Sequence, residues 1–362
     1  MQGMRKIARC GLALGLGLAA AGAPAAALAD AVSDFYSGKQ VRFIIRSGVG
    51  GGYDSYARLL GRHIGRHIPG APQIVPINMP GGGGIIAANH VAIAAPKDGS
   101  ILTMVSQGLP VDQALGLNTT LKADLRTFNW IGNMSASNQV LAVWHMSQTK
   151  TLDDAKKRET LIGSTGAGSI STQLPALLNN VLGAKFKIVV GYPDGRDVNL
   201  AMERQEVEGR GANPWVSYKS TTPKLVADKH IVPLVQVGLE RDPEMEAPLL
   251  RDLPVSAENK PVVEFYSKAV MVGRPVATTP DAPKDRVAAL RRAFDATLRD
   301  PDFIKDAEAQ RAEIDYMSGE DLQRIIAELV GAPEDVRLRV RNAIRPDMNA
   351  MTKLPGAKDS SD

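Results

Sequence analysis

Cysteine is almost absent from the sequence, and aromatic residues are few. The 362 residues include one cysteine, Cys10, and aromatic side chains make up 5% of the chain. A single cysteine cannot form a disulfide within the chain, so the fold must be stabilised by burial of apolar surface. The scarcity of aromatic residues leaves few stacking platforms, which argues against recognition of bases or flat sugars.

Long apolar segments are also absent, with one short exception near the start. A basic segment with no acidic residue precedes an apolar run at residues 11–21, and it contains Arg5, Lys6 and Arg9. Small residues follow the run up to Ala29. This order is typical of a signal peptide over residues 1–29, and it predicts export to the periplasm with cleavage before Asp30. No later segment reaches the roughly 20 apolar residues that a membrane-spanning helix needs.

The surplus of basic residues belongs largely to this leader. The whole chain has 43 basic and 39 acidic residues, for a net charge of +4. Removal of the leader leaves the mature chain close to neutral, so we expect no nucleic-acid-binding surface. Cys10 lies before the apolar run and not after a cleavage site, so no lipid anchor is expected either.

Short β-branched segments alternate with amphipathic helical segments from residue 40 onward. We predict strands at 41–46, 73–78, 100–105, 139–144, 160–163, 186–190, 231–237 and 268–272. We predict helices at 54–68, 85–94, 169–182, 196–204, 284–298 and 319–330. Capping-box spacing supports two helix starts, at Thr151 with Asp154 and at Ser318 with Asp321. The alternation is typical of an α/β fold with mainly parallel sheets flanked by helices.

The length and the composition of the C-terminus suggest how the chain is divided. A single core rarely grows beyond about 250–300 residues, so two lobes are expected. Residues 346–362 are polar and contain proline, and we predict a disordered tail there.

Glycine-rich turns follow four of the predicted strands and precede helices. They cover residues 47–54, 78–84, 164–169 and 191–196. Glycine lets the backbone approach a ligand, and the following helix N-terminus favours negative charge. Such turns also occur simply as tight connections. Four of them, two in each half of the chain, predict a shared cleft for an anion at the carboxyl ends of the strands.

Motifs for other functions are missing or weak. No turn has the Gly-x-Gly-x-x-Gly or Gly-Lys-Ser/Thr pattern of nucleotide sites, and no Gly-x-Ser-x-Gly or His-Glu-x-x-His is present. His63 and His67 have the spacing of two metal ligands on a helix, but the flanking Arg62 and Arg66 oppose a cation, so a solvated helix face is the better interpretation. We expect no metal, no cofactor and no enzymatic activity.

The order of several motifs resembles the receptor component of the tripartite tricarboxylate transporters, over about residues 39–345. The motifs lie at 50–54, 57–60, 78–81, 95–99, 166–169, 191–192 and 249–255. The resemblance implies a type II-like periplasmic binding protein with two lobes and two crossings between them. Lobe one would contain residues 30–136 and 248–345, and lobe two residues 137–247. Partners implied are a small organic carboxylate and the large and small membrane subunits of a transporter, with the receptor itself a monomer.

The resemblance and the four turns together imply a set of ligand-binding residues. These are Ser47, Gly50, Gly51, Tyr53, Asp54, Gly82, Gln107, Gly166, Gly168, Ser169, Thr172, Tyr192 and Asn213. Within this set we expect Gly166, Gly168, Ser169 and Thr172 to bind the carboxylate. We expect Asp54, a natural N-cap residue, to order its loop or to accept a hydrogen bond from a ligand hydroxyl or ammonium, and not to bind the carboxylate.

Several features leave the ligand and the function class open. The family often has prolines where Gly48 and Val49 stand, a histidine at Thr172, and aspartate at Ala212. A second ligand carboxylate could be bound by Arg46, Arg196 or Arg210, or by none of them. A secreted hydrolase using the same cleft, or a solute sensor for a membrane kinase, are the alternatives to a transport receptor.

Overall fold

The computed structural model of the chain describes residues 31–50, 52–165, 169–192 and 195–353. The predicted signal peptide and its cleavage before Asp30 lie outside the described residues. None of the described helices is long and apolar enough to cross a membrane.

Two six-stranded sheets are present in the described part of the chain. The strands in chain order are β1 (Gln40–Ile45), β2 (Gln73–Asn78), β3 (Ile101–Met104), β4 (Asn129–Asn133), β5 (Gln139–Trp144), β6 (Thr160–Ser164), β7 (Phe186–Val190), β8 (Gly209–Pro214), β9 (Ile231–Val237), β10 (Pro275–Thr278), β11 (Met317–Ser318) and β12 (Met351–Lys353). Sheet one has the order β11-β4-β10-β3-β1-β2, and sheet two has the order β12-β7-β6-β8-β5-β9.

Helices cover both sheets. In chain order they are α1 (Gly52–Ile64), α2 (Ile85–Ile93), α3 (Leu109–Leu115), α4 (Leu152–Lys157), α5 (Ile170–Leu182), α6 (Gly195–Glu203), α7 (Trp215–Thr221), α8 (Pro223–Ala227), α9 (Lys260–Ala269), α10 (Lys284–Leu298), α11 (Pro301–Ala309), α12 (Gly319–Val330) and α13 (Glu334–Ala343). Both predicted caps are confirmed. The hydroxyl of Thr151 accepts a hydrogen bond from the Asp154 backbone, and that of Ser318 accepts one from Asp321.

The direction of the strands in sheet one defines the edge where its turns lie. β1 pairs in parallel with β2 and with β3. β10 runs antiparallel to both β3 and β4. The C-terminal ends of β1 to β4 therefore share one edge with the start of β10, and we call this the carboxyl edge of sheet one.

Sheet two has an equivalent edge. β6 pairs in parallel with β7 and β8. β5 runs antiparallel between β8 and β9, and its first residue, Gln139, lies opposite the end of each. The carboxyl edge of sheet two therefore contains the ends of β6 to β9 and the start of β5.

A short crossing joins the two carboxyl edges. Residues 134–138 lead from the end of β4 in sheet one to the start of β5 in sheet two. The return crossing leaves from the end of β9 and reaches sheet one before β10. Both crossings lie at the same edges, so the turns of one sheet face those of the other. This is the two-lobed arrangement that the sequence predicted.

The lobes also share apolar packing. One cluster of buried side chains includes Ile44 and Trp130 from sheet one together with Leu141 and Ile162 from sheet two. A further contact is polar: the side chain of Asn180, on α5, donates hydrogen bonds to the carbonyls of Ala343 at 2.8 Å and Arg345 at 3.0 Å. The C-terminal end of α13 is thereby attached to lobe two.

Two predictions of secondary structure are wrong. The strand predicted at 268–272 falls instead on the end of α9 and the turn after it. Val262, Phe265, Tyr266 and Ala269 are all buried in that helix, and this helical spacing sets its conformation. The sheet-one strand in this region is β10, which begins at Pro275.

The tail is the second correction. β12 pairs in parallel with β7, so Met351–Lys353 extend sheet two instead of being disordered. This adds a third passage of the chain between the lobes, after α13. The residues beyond 353 lie outside the described part.

Candidate functional site

The first turn, residues 47–54, is organised around the carboxylate of Asp54. The Asp54 side chain is 4% exposed. One oxygen accepts a hydrogen bond from the Gly50 backbone at 2.9 Å, and the other accepts from Arg58 at 2.9 Å and Asn78 at 2.8 Å. Asn78 also donates to the Ser47 carbonyl at 2.8 Å. Asp54 therefore holds Gly50 directly and Ser47 through Asn78.

The surroundings keep Asp54 ionised. Burial by itself raises the pKa of a carboxyl, but the hydrogen bonds from Arg58, Gly50 and Asn78 outweigh it and hold the pKa of Asp54 below its ordinary value. The negative charge is already bound by these donors. Asp54 therefore has the contacts of a residue that orders the loop. It is not the N-cap that the sequence predicted, because α1 already begins at Gly52 and Asp54 lies in its first turn.

Tyr53, the neighbour of Asp54, packs against two arginines at the carboxyl edge of sheet one. The guanidinium carbon of Arg46 lies 4.0 Å from the centre of the Tyr53 ring, and that of Arg274 lies 4.6 Å from it. The Tyr53 hydroxyl accepts a hydrogen bond from the Gln107 backbone at 3.0 Å. Arg274 donates to the side-chain oxygen of Gln107 at 3.3 Å. These residues come from four separate segments of the chain.

The second turn, residues 78–84, lies beside Arg46. Arg46 donates to the carbonyl of Gly83 at 3.1 Å. Gly84 has a φ of 106°, and a Cβ there would lie 2.9 Å from Cδ of Arg46. Glycine is therefore required at position 84 for the backbone to approach the arginine. Gly82 belongs to this turn and is exposed.

The third turn, residues 164–169, is uncharged and rich in hydroxyls. Its described residues are Ser164, Thr165 and Ser169. Ser164, at the end of β6, is fully buried, and its Oγ lies 2.8 Å from that of Ser171 and 2.6 Å from Oγ1 of Thr172. Ser169 occupies the N-cap position of α5 without a side-chain capping bond, and its Oγ lies 2.7 Å from that of Ser171.

The fourth turn, residues 191–196, lies next to the third. The Tyr192 backbone donates to the Ser164 carbonyl at 3.3 Å, and the Tyr192 side chain is 5% exposed within an apolar cluster. Arg210, on β8, donates to the side chain of Asn199 at 3.1 Å. Asn213, near the end of β8, is 3% exposed, and its side-chain nitrogen has no hydrogen-bond partner among the described residues.

The structure brings most predicted site residues to the two facing edges. Ser47, Gly50, Tyr53, Asp54, Gly82 and Gln107 lie at the edge of sheet one, and Ser169, Thr172, Tyr192 and Asn213 lie at the edge of sheet two. Thr172 is fully buried, and Tyr192 is packed into the core. Gly51, Gly166 and Gly168 lie outside the described residues.

Sequence reasoning missed four residues that organise these edges: Arg58, Asn78, Ser164 and Arg274. Asn78 and Ser164 are the first residues of two predicted turns, and this position at a strand end could have marked them as site residues. Arg274 follows Gly273 and precedes β10. Because the strand was predicted at 268–272, nothing marked Arg274 as part of the edge.

His63 and His67 do not form a solvated face. His63 is 8% exposed, and its Nε2 lies 2.9 Å from Asp306, whereas Nε2 of His67 lies 2.7 Å from Asp300. Each histidine contacts a different aspartate, so the pair attaches α1 and the 3-10 turn after it (Gly65–His67) to the segment around α11. No group of three or more candidate metal ligands occurs among the described residues.

A separate cavity of about 690 Å³ is lined mainly by residues of lobe two, together with Pro248, Leu253 and Pro254. It is lined by residues such as Lys150, Trp215, Pro233 and Met245. The described residues of the four turns do not line it, so the cavity is distinct from the two facing edges.

Comparison with known proteins identifies the class of fold. No protein-family model matches the chain, and no curated protein sequence matches it. Among solved structures, a TctC solute-binding protein from Polaromonas, without ligand, is 19% identical, with a TM-score of 0.66 over 85% of this chain and 99% of that one.

Two ligand-bound structures are similar to a lesser degree. A protein of R. palustris with adipate is 20% identical, with a TM-score of 0.57 over 84% of this chain and 97% of that one. MatC of Rhodopseudomonas palustris with bound malate is 19% identical, with a TM-score of 0.57 over 83% of this chain and 99% of that one. These similarities establish the fold of a two-lobed solute-binding protein.

Proposed function

We propose that this chain is a periplasmic solute-binding receptor that closes its two lobes around a small organic carboxylate and delivers it to the large and small membrane subunits of a tripartite tricarboxylate-type transporter. The observation that supports this most directly is the short crossing at residues 134–138, which places the carboxyl edges of the two sheets opposite each other. Ligands of open α/β sheets bind at such edges.

The facing edges supply groups suited to an anion. The third turn offers hydroxyls and the N-terminus of α5, and helix N-termini favour negative charge. We propose that it binds the carboxylate through Gly166, Gly168 and Ser169, and that the fully buried Thr172 supports the turn through its hydroxyl contact with Ser164. Adipate and malate, bound by two proteins of the same fold, are carboxylates. The proposal gives the chain no catalytic role.

The lobes and the hinges belong to the same proposal. Lobe one would be residues 30–136 with 248–345, and lobe two 137–247. The two crossings between them would act as hinges. The mature chain would begin at Asp30 after export and work as a monomer.

A thermal-shift screen with organic acids tests the proposal. A ligand at about 100 times its dissociation constant stabilises the folded state by roughly 2.7 kcal/mol, which is a clear rise in melting temperature. We expect at least one small carboxylate to produce it, and uncharged sugars to produce none. A screen in which no carboxylate stabilises the protein would refute the proposal.

Solution scattering tests the closure of the lobes. A ligand that contacts both lobes favours the closed form, so the radius of gyration should fall on saturation. An unchanged radius would contradict a ligand held between the lobes.

Export and delivery need separate experiments. The intact mass of periplasmic protein should correspond to a chain that begins at Asp30, and a retained Met1 would contradict export. Capture of the membrane subunits by the liganded receptor would support transport, whereas capture of a membrane kinase would point to sensing.

A further inference from the structure

Arg46 and Arg274 place two positive charges on one small patch at the edge of sheet one. Both guanidinium groups lie against the ring of Tyr53, at 4.0 Å and 4.6 Å from its centre. Both arginines are half-buried. The ring attracts each cation, but two like charges so close together repel each other, most strongly where water is partly excluded.

Nothing in the described part of the chain neutralises this patch. Ion pairs there involve other arginines, such as Arg58 with Asp54 and Arg66 with Asp300, whereas neither Arg46 nor Arg274 forms one. Nε of Arg46 and Nε of Arg274 are both buried without a hydrogen-bond partner among the described residues. Within the described residues, their side chains donate hydrogen bonds to neutral carbonyl and amide oxygens.

The patch also lies where a ligand would reach it. Arg274 directly precedes β10, and Arg46 directly follows β1, so both lie at the carboxyl edge. The terminal nitrogen Nη2 of Arg274 is 3.7 Å from the position that a Cβ would occupy on Gly52, at the start of α1. The Asn133 side chain accepts a hydrogen bond from the Arg274 backbone at 2.7 Å and holds it beside the crossing.

We infer that Arg46 and Arg274 bind a second anionic group of the ligand, so that the receptor selects organic acids with two or more carboxylates over monocarboxylates. The inference rests on the proposed function, because it assumes a carboxylate ligand between the lobes. The first carboxylate would be held at the uncharged third turn. The second would lie against the arginines, whose planar groups match a carboxylate in two-pronged fashion.

Pairs of acids that differ by one carboxylate test the selection. The probes are adipate with hexanoate, succinate with butyrate, and malate with 3-hydroxybutyrate, and affinity is measured by calorimetry. We expect the wild type to bind at least one diacid about tenfold to a hundredfold more tightly than its partner, as a charged hydrogen bond or two would give. Arg46→Gln and Arg274→Gln should each remove most of this preference, because they should weaken diacid binding far more than monoacid binding.

Arg286 provides a matched control. Its guanidinium lies 3.5 Å from the centre of the Phe35 ring, and its Nε is also buried without a partner among the described residues. It donates to the carbonyl of Asp98, before β3, at the opposite edge of the sheet. Arg286→Gln should therefore retain the full preference for the diacid.

The salt dependence of binding by the wild type tests the inference even if the arginine variants fail to fold. Binding that depends on two charges falls faster with ionic strength than binding that depends on one. We expect a steeper loss of affinity with added NaCl for the diacid than for the monoacid. Arg274→Lys, which retains the charge without the planar fork, should give an intermediate preference.

The outcomes distinguish a failure of the inference about the arginines from a failure of the proposed carboxylate-receptor function. Equal binding of diacid and monoacid, with equal salt dependence, would overturn the inference and leave the carboxylate receptor intact. A diacid preference that survives both arginine variants would also overturn it. If no acid of either kind binds, the proposed function fails and the inference fails with it.

Discussion

The turns at the edge of lobe one and those at the edge of lobe two differ in where their charge lies. Lobe one has a buried carboxylate, Asp54, held by Arg58, and two further arginines against Tyr53. The described part of the third turn in lobe two has hydroxyls alone, gathered around Ser164. The first turn is built on ionic groups and the described part of the third turn on neutral ones.

This difference suggests that the two lobes act at different steps of ligand binding. Charges act over a longer range than hydrogen bonds, so lobe one should attract and first bind the anion. Hydroxyl donors act only at short distance and in a defined direction, so lobe two should complete the site when the lobes close. An uncharged third turn also does not repel the arginines during closure.

The largest expected effect comes from removing the charge that organises the lobe-one turn. Asp54→Ala leaves the Gly50 backbone, Arg58 and Asn78 without their shared acceptor. Each hydrogen bond to a charged group contributes about 1.5–3 kcal/mol, and Arg58 is partly exposed, so we expect a total loss of about 2–4 kcal/mol in the free energy of unfolding. Denaturant unfolding measures it. A loss below about 1 kcal/mol would show that the network does not stabilise the fold.

Asp54→Asn isolates the contribution of the charge. The pKa of Asp54 is lower in the folded state, so its stabilisation is fully present above its ordinary pKa of about 4 and is lost as pH falls through the folded-state value. The stability difference between wild type and Asp54→Asn should therefore be large at neutral pH and disappear in acid. A difference independent of pH would mean that the charge is not its source.

The same variant tests the assignment of Asp54 to loop ordering. If Asp54 does not contact the ligand carboxylate, Asp54→Asn should bind a simple dicarboxylate at least as tightly as the wild type. Complete loss of binding by a folded variant would contradict the assignment.

A smaller effect is expected from the neutral cluster of lobe two. Ser164→Ala removes a buried hydroxyl with three hydroxyl neighbours, which can partly satisfy one another, so we expect a stability loss of about 1–2 kcal/mol. Because the cluster supports the third turn, carboxylate affinity should also fall. Thr160, at the start of the same strand, has its hydroxyl 2.6 Å from that of Thr149 and is equally buried. Thr160→Val should lower stability and leave affinity unchanged.

Equal effects of Ser164→Ala and Thr160→Val on affinity would contradict a special role for the carboxyl edge. The comparison is sharp because the two residues lie at opposite ends of β6, so both variants perturb the same strand.

Much of the fold could be predicted from the sequence, because periodicity marks elements that bury apolar side chains. The segments 73–78, 139–144, 186–190 and 231–237 match the bounds of β2, β5, β7 and β9. β8 was missed because its sequence has a low strand propensity, with glycine at 209 and 211 and proline at 214. β12 was missed because a strand of three residues is too short to show a periodic pattern.

The site was predictable only in part, for a similar reason. Glycine turns have a local signal, so the first to fourth turns could be placed along the chain. Arg46 and Arg274 are far apart in sequence and meet at Tyr53 only through the order β10-β3-β1. No local pattern reports that order, which is why Arg274 was missed and the role of Arg46 stayed open.

The smallest effect on stability is expected at Ser169. A serine at a helix N-terminus can either cap its own helix or bind a ligand anion. An N-cap serine that bonds its own helix contributes about 1 kcal/mol to stability. Ser169 has the N-cap backbone conformation but no side-chain capping bond, and its hydroxyl contacts Ser171 at 2.7 Å and Ser164 at 3.2 Å. Ser169→Ala should therefore cost less than about 1 kcal/mol of stability and weaken carboxylate binding roughly tenfold, or about 1.4 kcal/mol. Calorimetry with the screened acid and thermal unfolding of the same preparation separate the two quantities. If stability falls by the full value of a cap while affinity is unchanged, Ser169 serves its helix, and the carboxylate is bound elsewhere than at the third turn.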